Sequence, residues 1–477
     1  MTTTQHIAKN TAVQLVGKII STVLGLVAFA LMAHTLGTEQ FGWYVTASGF
    51  LQFIGILSDF GFTVTTAKML AEPRFDKDQL FATLFTWRLI TAGLFQGLAP
   101  LAILLFPYPA EIKLAVAITT VSFFAFAVNQ VLIGYYQVHL RMHLQAIGEV
   151  LGRIVLVAGI ALCTITRAGF LSMMVVVTLA AVVYSAYLII HHGHLRWCLD
   201  RTISRAIFIT MWPTALSVLC NSFYLQGDRV ILPLFVSQTA VGLYGSSYRI
   251  LDIITQITAM IMGLMLPLIA AAWSRDNREQ FASYAQLSLD LTALLIFPII
   301  GGILVLHTPL MVLVAGANFA AAGPLLQYLS ISIAGVCLGM VFGHILLAAS
   351  KQRLALAVFA SDAVLSTIGY FVFIRLYGSW GAVGVTIFSE WYAGLLLAWL
   401  AIRATGHRPA LATLGKITLA SLVMAGALTL VPALPILVSI LLGAVLYGLQ
   451  VIALNVVPWS AIRTVLRSKK VAGTPLV

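Results

Sequence analysis

Fourteen hydrophobic stretches, each long enough to cross a bilayer, occupy almost the whole of this 477-residue chain. A helical span needs about 20 apolar residues, and a charge at its centre is disfavoured by about 2.5–3.5 kcal/mol on insertion scales. Hydrophobic residues make up 61% of the chain and charged residues only 9%. The stretches fall at 11–34, 41–64, 80–106, 112–138, 147–166, 169–190, 206–235, 241–272, 284–313, 322–348, 354–375, 380–402, 412–431 and 434–456. The expected fold class is an all-α integral membrane protein of 14 transmembrane helices. The connections are short, the longest running from about His191 to Arg205, and leave no room for a soluble domain.

The formal net charge of +12 would suit nucleic acid, but its distribution argues otherwise. With the N-terminus placed in the cytoplasm, 19 of the 27 Lys and Arg residues fall in inner segments and only Lys113, Arg167 and Arg375 in outer ones. That bias is the positive-inside rule. It puts both termini of a multi-pass membrane protein in the cytoplasm and argues against nucleic acid as a partner. The opening MTTTQHIAKN lacks a signal-peptide design, so the first span reads as a retained anchor. The four cysteines are scattered and read as free thiols.

The seventh span begins about 200 residues after the first, and the pattern recurs. Gly37-Thr38-Glu39-Gln40-Phe41-Gly42-Trp43-Tyr44 closes the first outer turn, and Ser237-Gln238-Thr239-Ala240-Val241-Gly242-Leu243-Tyr244 closes its counterpart. Gly42 then matches Gly242, Tyr44 matches Tyr244, Leu51 matches Leu251 and Ile54 matches Ile254. Six spans per copy is an even number, so the copies enter the membrane in the same direction. Such parallel repeats bind substrate between halves that rock against each other. The expected organisation is an N-lobe over 1–200, a C-lobe over 201–408, and an extra pair of spans with a cytoplasmic tail over 409–477.

The run Leu36-Gly37-Thr38-Glu39-Gln40-Phe41-Gly42-Trp43-Tyr44, followed by Asp59-Phe60-Gly61, resembles the start of Wzx-type polysaccharide flippases. These form the polysaccharide-transporter branch of the multidrug/oligosaccharidyl-lipid/polysaccharide exporter superfamily. The resemblance implies a MATE-like fold of two six-helix lobes. It also implies translocation of an undecaprenyl-diphosphate-linked oligosaccharide to the periplasmic leaflet, for O-antigen, capsule or exopolysaccharide assembly. The implied partners are that lipid-linked oligosaccharide and the membrane polymerase and glycosyltransferase of the same pathway. A monomer suits the two-lobe design, and the sequence calls for no cofactor.

Five basic residues lie inside spans: Lys18, Arg88, Arg153, Arg229 and Arg249. Ionisable residues at that depth usually face a cavity or a partner. They are expected to line a cationic central cavity, where arginine can grip a diphosphate with two parallel hydrogen bonds. Lys18 and Arg88 have no acidic neighbour in sequence, whereas Glu149 and Arg153 are spaced i, i+4 for an ion pair. Asp59, Asp228 and Asp252 are the candidates for ion coupling or gating. Asp290 and Asp362 lie near inner ends and read as structural or interfacial. Trp87, Tyr224, Tyr248 and Trp391 lie at depths suited to stacking on sugar rings, although aromatic residues also pack cores and anchor interfaces. Gly335, Gly339 and Gly343 form a small-residue face for close helix packing.

Other signals are set aside. Asp76-Lys77-Asp78 has the spacing of a glycosyltransferase DxD but sits in a short loop, and His191-His192-Gly193-His194 lacks fixed ligand geometry. No Walker-A sequence is present. The alternatives are a MATE-type drug/cation antiporter, a lipid II flippase and, more remotely, a membrane-embedded glycosyltransferase or polymerase. An antiporter of cations favours an acidic cavity, so the basic intramembrane charge speaks for an anionic substrate and for a transporter over an enzyme.

Overall fold

A backbone in hydrocarbon has no water to bond, so each span must satisfy its own N–H and C=O groups as a helix. The computed structural model describes residues 3–71, 75–193, 195–431 and 434–456, and the described residues contain helices and no strand. The helices are α1 (Thr3–Asp59), α2 (Phe62–Ala71), α3 (Lys77–Ala102), α4 (Ala110–Val138), α5 (Met142–Ile165), α6 (Phe170–His192) and α7 (Arg201–Ile231). They continue as α8 (Gln238–Ser274), α9 (Arg278–Ala315), α10 (Gly323–Ala348), α11 (Gln352–Tyr377), α12 (Ser379–Thr405), α13 (Leu411–Thr429) and α14 (Ile436–Ala453).

Among the described residues, twelve helical segments are long and apolar enough to cross a membrane. The first expected span and most of the second fall in α1, which is broken at Gly37 (φ 67°, ψ −176°). That conformation is open to glycine and strained for other residues. A second break follows Asp59, where Phe60 and Gly61 take φ of 40° and 79° before α2 begins. The seventh stretch is covered by α7, which is not among the twelve. The expected fifteen-residue inner connection is shorter than read from sequence, because α6 runs to His192 and α7 starts at Arg201. Asp200 fixes that start, its carboxylate accepting the Ile203 N–H at 2.8 Å.

The chain forms two compact units, Met1–Ser246 with Val314–Phe319 and Phe359–Val385, and Ser247–Leu313 with Ala320–Val358 and Thr386–Val477. In the first unit, helices an even number of passes apart run parallel. Gly17 meets Ala146 and Gly25 meets the Arg153 guanidinium, while the Thr35 and Thr164 hydroxyls bond at 2.8 Å, setting α1 alongside α5. Thr178 donates to the Ile118 carbonyl and Ser185 to the Ala125 carbonyl, setting α6 alongside α4. The α5 glycines Gly148, Gly152 and Gly159 let α6 approach through Tyr184, Ala180 and Val176. Without a hydrophobic drive between helices in lipid, this kind of close backbone contact and interhelical bonding holds helices together.

The second unit repeats one of these pairings. Trp391 on α12 donates to the Ile331 carbonyl on α10 at 3.0 Å, a separation of 60 residues that equals the two α4–α6 bonds. Gly335 of the expected small-residue face abuts the backbone of Glu390 and Trp391, and Gly394 closes on the Gly335 carbonyl. The added pair packs on α9 through Gly301 against the Ser421 carbonyl and through the Tyr447 hydroxyl, which donates to the Leu294 carbonyl at 2.9 Å.

Within the first unit, the repeat read from sequence appears as a reciprocal contact. Gly42 lies against the backbone of Gln238, four residues before Gly242. Gly242 lies against the backbone of Thr38, four residues before Gly42. Thr46 adds a bond to the Gln238 side chain at 2.7 Å. The repeat-related glycines thus mark a crossing where neither chain has space for a β-carbon. Gly42→Ala or Gly242→Ala is expected to cost about 1–3 kcal/mol as overpacking, whereas Gly97→Ala, which meets nothing within 4 Å, is expected to leave stability unchanged or slightly raised. Thermal unfolding of the three purified variants in detergent checks this.

Candidate functional site

Arg88 and Lys18 both stand in the first unit, and the structure gives them different surroundings. Arg88, on α3, is 3% exposed. Its Nη2 lies 3.0 Å from Asp59 Oδ1, its Nε donates to the Ala127 carbonyl and its Nη1 to the Ser58 carbonyl, both at 3.1 Å. The guanidinium also lies over the Phe62 ring at 5.8 Å. One side chain therefore ties α3 to the end of α1, the start of α2 and the middle of α4. Arg88 has no acidic neighbour in sequence, and its partner is Asp59, distant in the chain and brought close by the Phe60–Gly61 bend. Asp59 also accepts the Thr63 hydroxyl at 2.6 Å. The Asp-Phe-Gly run is thus a helix end, a left-handed turn and an ion-pair acceptor in three residues.

Lys18, on α1, is also paired, with Glu149 of α5 at 3.5 Å, and its side chain keeps 45% of its exposure. Glu149 therefore reaches across to α1, beyond the expected i, i+4 contact with Arg153. Arg153 lies one turn along α5 with its guanidinium against Gly25 of α1. Lys18, Glu149 and Arg153 form a cation–anion–cation series along the parallel α1–α5 seam. An exposed pair of this kind is worth only about 0–1 kcal/mol, so its charges stay available to a stronger anion.

On α7, Asp228 is 1% exposed and accepts the Tyr244 hydroxyl at 2.7 Å, tying α7 to the first turns of α8. Arg229 is half-buried, with its backbone against Gly49 of α1. In the second unit, Tyr248, Arg249 and Asp252 are half-buried within two turns of α8. Trp87 donates to the Ser204 hydroxyl at 2.8 Å and packs edge-on against Phe208, so its ring joins α3 to α7. Trp391 is engaged with α10 through the bond described above. The Tyr224 side chain lies outside the described residues.

Two carboxylates carry more weight than the sequence assigned them. Asp362, read as structural or interfacial, is fully buried at 0% exposure, and Glu390 is 3% exposed. The available signal was their flanks, Ala360-Ser361-Asp362-Ala363 and Phe388-Ser389-Glu390, apolar or small with no neighbouring base. Among the described residues, no three His, Cys, Asp or Glu side chains converge to hold a metal.

Comparison with known proteins places the chain. Residues 7–273 match the family described as "Polysaccharide biosynthesis protein". Over 229 residues the chain is 26% identical to the "Probable low-salt glycan biosynthesis flippase Agl15" of Haloferax volcanii, covering 47% of this chain and 48% of that protein. It is 28% identical over 169 residues to "Stage V sporulation protein B" of Bacillus subtilis, covering 34% of this chain and 33% of that protein. The aligned part of the chain thus spans about half the length of the first relative and a third of the second. Among solved structures, an inward-closed lipid II flippase MurJ superposes with a TM-score of 0.76 at 15% identity, covering 91% of this chain and 97% of that one. An inward-facing multidrug resistance MATE transporter of the MOP superfamily gives 0.67 at 16% identity, covering 83% and 98%. The fold is the MATE-like one that the sequence implied.

The Arg88–Asp59 pair is testable apart from any transport. Removing one member of a buried pair typically costs about 3–5 kcal/mol, and replacing both with apolar residues can recover much of it. Asp59→Asn and Arg88→Gln are each expected to lower the melting temperature of the purified protein sharply, with the double variant Arg88→Met/Asp59→Leu melting above either.

Proposed function

The chain belongs to the polysaccharide biosynthesis protein family, and from that membership we propose that it is a flippase. Its cargo is a lipid-linked oligosaccharide, carried from the cytoplasmic to the outer leaflet of the inner membrane with both of its termini in the cytoplasm. The family match over residues 7–273 carries this reading. The architecture supports it. Between described helices the longest connection is residues 193–200, too short to build a soluble active site. A chain so arranged handles a glycan by moving it rather than by making or breaking its bonds.

The chemistry of the cargo says what the residues must do. An undecaprenyl diphosphate carries its negative charge next to the bilayer, and hydrocarbon gives that charge no solvation. Lys18 and Arg153 can supply it, one as a mobile point charge and the other as a fork. Glu149 pairs with Lys18 at 3.5 Å, and the more highly charged diphosphate displaces it. Arg88, already bonded to Asp59 and two carbonyls, holds the Phe60–Gly61 bend instead of meeting cargo. Arg229 and Arg249 are proposed for anion contact on their own helices, and the buried Asp228, with Asp252, for ion coupling. A membrane polymerase and glycosyltransferase of the same pathway are the proposed partners, and the working unit is a monomer.

The test is a sidedness assay for lipid-linked oligosaccharide in membranes of a deletion strain. The intermediate is expected to accumulate on the cytoplasmic leaflet and to be relieved by the wild-type gene. Lys18→Glu and Arg153→Glu are each expected to cut that rescue about tenfold or more with protein level unchanged. Absent intermediates would instead mark an enzyme acting earlier, and normal glycan assembly would point to drug or small-cation export.

A further inference from the structure

The connection between α6 and α7 has a face that neither the fold nor the transport reading uses. At 31 residues, α7 is about 46 Å long, against about 30 Å of hydrocarbon. Roughly ten residues must therefore lie beyond the apolar layer. The outer end passes directly into the short turn Leu232–Leu234, so the surplus falls at the start, where Arg201 and Arg205 are exposed.

That start is pinned on one side and open on the other. Ile203, Ile207 and Met211 are buried in the core beneath it. Asp200 caps the helix, and the Cys198 N–H donates to the Thr86 hydroxyl of α3 at 3.1 Å. The opposite side shows Arg201, Arg205, Ile209 and Trp212, the last two at 65% and 70% exposure. Arg196 is exposed just before the helix, beside Trp197 at 73% and Leu199 at 58%. Basic residues come first and apolar ones deeper, as in a segment lying along a headgroup layer. Arginine at a helix N-terminus opposes the helix dipole, so Arg201 and Arg205 do not serve the helix itself.

Neighbouring turns extend the face. His192 lies 4.5 Å from Tyr135 in ring centroids, which sets the end of α6 beside the end of α4, where Leu140 and Arg141 are exposed. The nearby acids Asp76, Asp78 and Asp200 keep their negative charge, the first and last while also capping α3 and α7 through Gln79 and Ile203. They are outnumbered by Lys77, Arg141, Arg196, Arg201 and Arg205, so the face stays basic.

We infer that this face is a docking surface for anionic phospholipid headgroups of the cytoplasmic leaflet. Arg196, Arg201 and Arg205 take the headgroup charge, and Trp197 and Trp212 seat in the interface. Basic side chains and tryptophan divide the work in this way at a membrane surface. The inference concerns the surrounding lipid and holds whatever the cargo is.

The test uses the full chain, purified in detergent from membranes of phosphatidylglycerol and phosphatidylcholine mixed in equal amounts. Retained lipid is counted by mass spectrometry. The wild type is expected to keep phosphatidylglycerol about tenfold or more over phosphatidylcholine. Each arginine is worth roughly fivefold near an anionic surface, so Arg196→Gln/Arg201→Gln/Arg205→Gln is expected to bring the ratio near one at an unchanged melting temperature. Trp197→Ala is expected to lower both lipids together and keep the ratio. Should the triple variant fail to fold, Arg205→Gln alone is read, with a roughly fivefold drop expected. Equal retention by the wild type, or an unchanged ratio in the folded variant, overturns the inference. So does loss of phosphatidylglycerol to millimolar inorganic phosphate, which would mark a site for free phosphate.

Discussion

Every feature of this protein answers to one constraint: inside hydrocarbon, a backbone carbonyl or amide without a partner costs several kcal/mol. Helices meet most of that demand, and the exceptions are instructive. The helical run breaks at Gly37 and again at Phe60–Gly61. At the second break the Ser58 carbonyl is taken up by Arg88, which also bonds the Ala127 carbonyl of α4. Hydroxyl side chains follow the same economy. Thr86, Thr119 and Ser421 each donate back to a carbonyl four residues earlier, so these hydroxyls bring no unmet need.

The same constraint separates two kinds of intramembrane charge. Arg88 spends its donors on protein oxygens and is nearly sealed from the surroundings, so it works as a structural tie. Lys18 is held by a single partner and remains half open, so its charge can be redirected. Sequence depth alone treats these residues alike, since both sit a similar distance into a span. What distinguishes them is the number of oxygens that neighbouring helices deliver, and that depends on where the chain bends.

Much of the architecture was legible because a bilayer converts composition into geometry. Span positions, helical class and the repeat centred on Gly42 and Gly242 follow from apolar runs and turn residues. The reciprocal glycine contact gives the repeat a physical meaning that a few identities could not. What sequence could not show shares a cause. Asp59 as the partner of Arg88, Glu149 reaching Lys18, and the burial of Asp362 all depend on contacts between helices far apart in sequence. Local spacing suggested Glu149 with Arg153, because i, i+4 is the relation that a single helix displays. Trp87 and Trp391 read as sugar platforms by depth, and the structure adds that their indole N–H groups bond Ser204 and Ile331.

The parallel pairing of α1 with α5 has a consequence for how the protein is made. Thr35 and Thr164 are 129 residues apart in the chain, and synthesis proceeds at about 5–20 residues per second. The first helix therefore waits roughly 6–25 seconds in the membrane before its partner emerges. Throughout that time Lys18 has no Glu149, and an isolated charge in a span carries a penalty of about 2.5–3.5 kcal/mol. During biogenesis, Lys18, near the inner end of a strongly apolar span, thus depends on snorkelling toward the interface until the fifth helix arrives. The ion pair of the finished protein forms only once α5 is in place, so α1 enters the membrane without it.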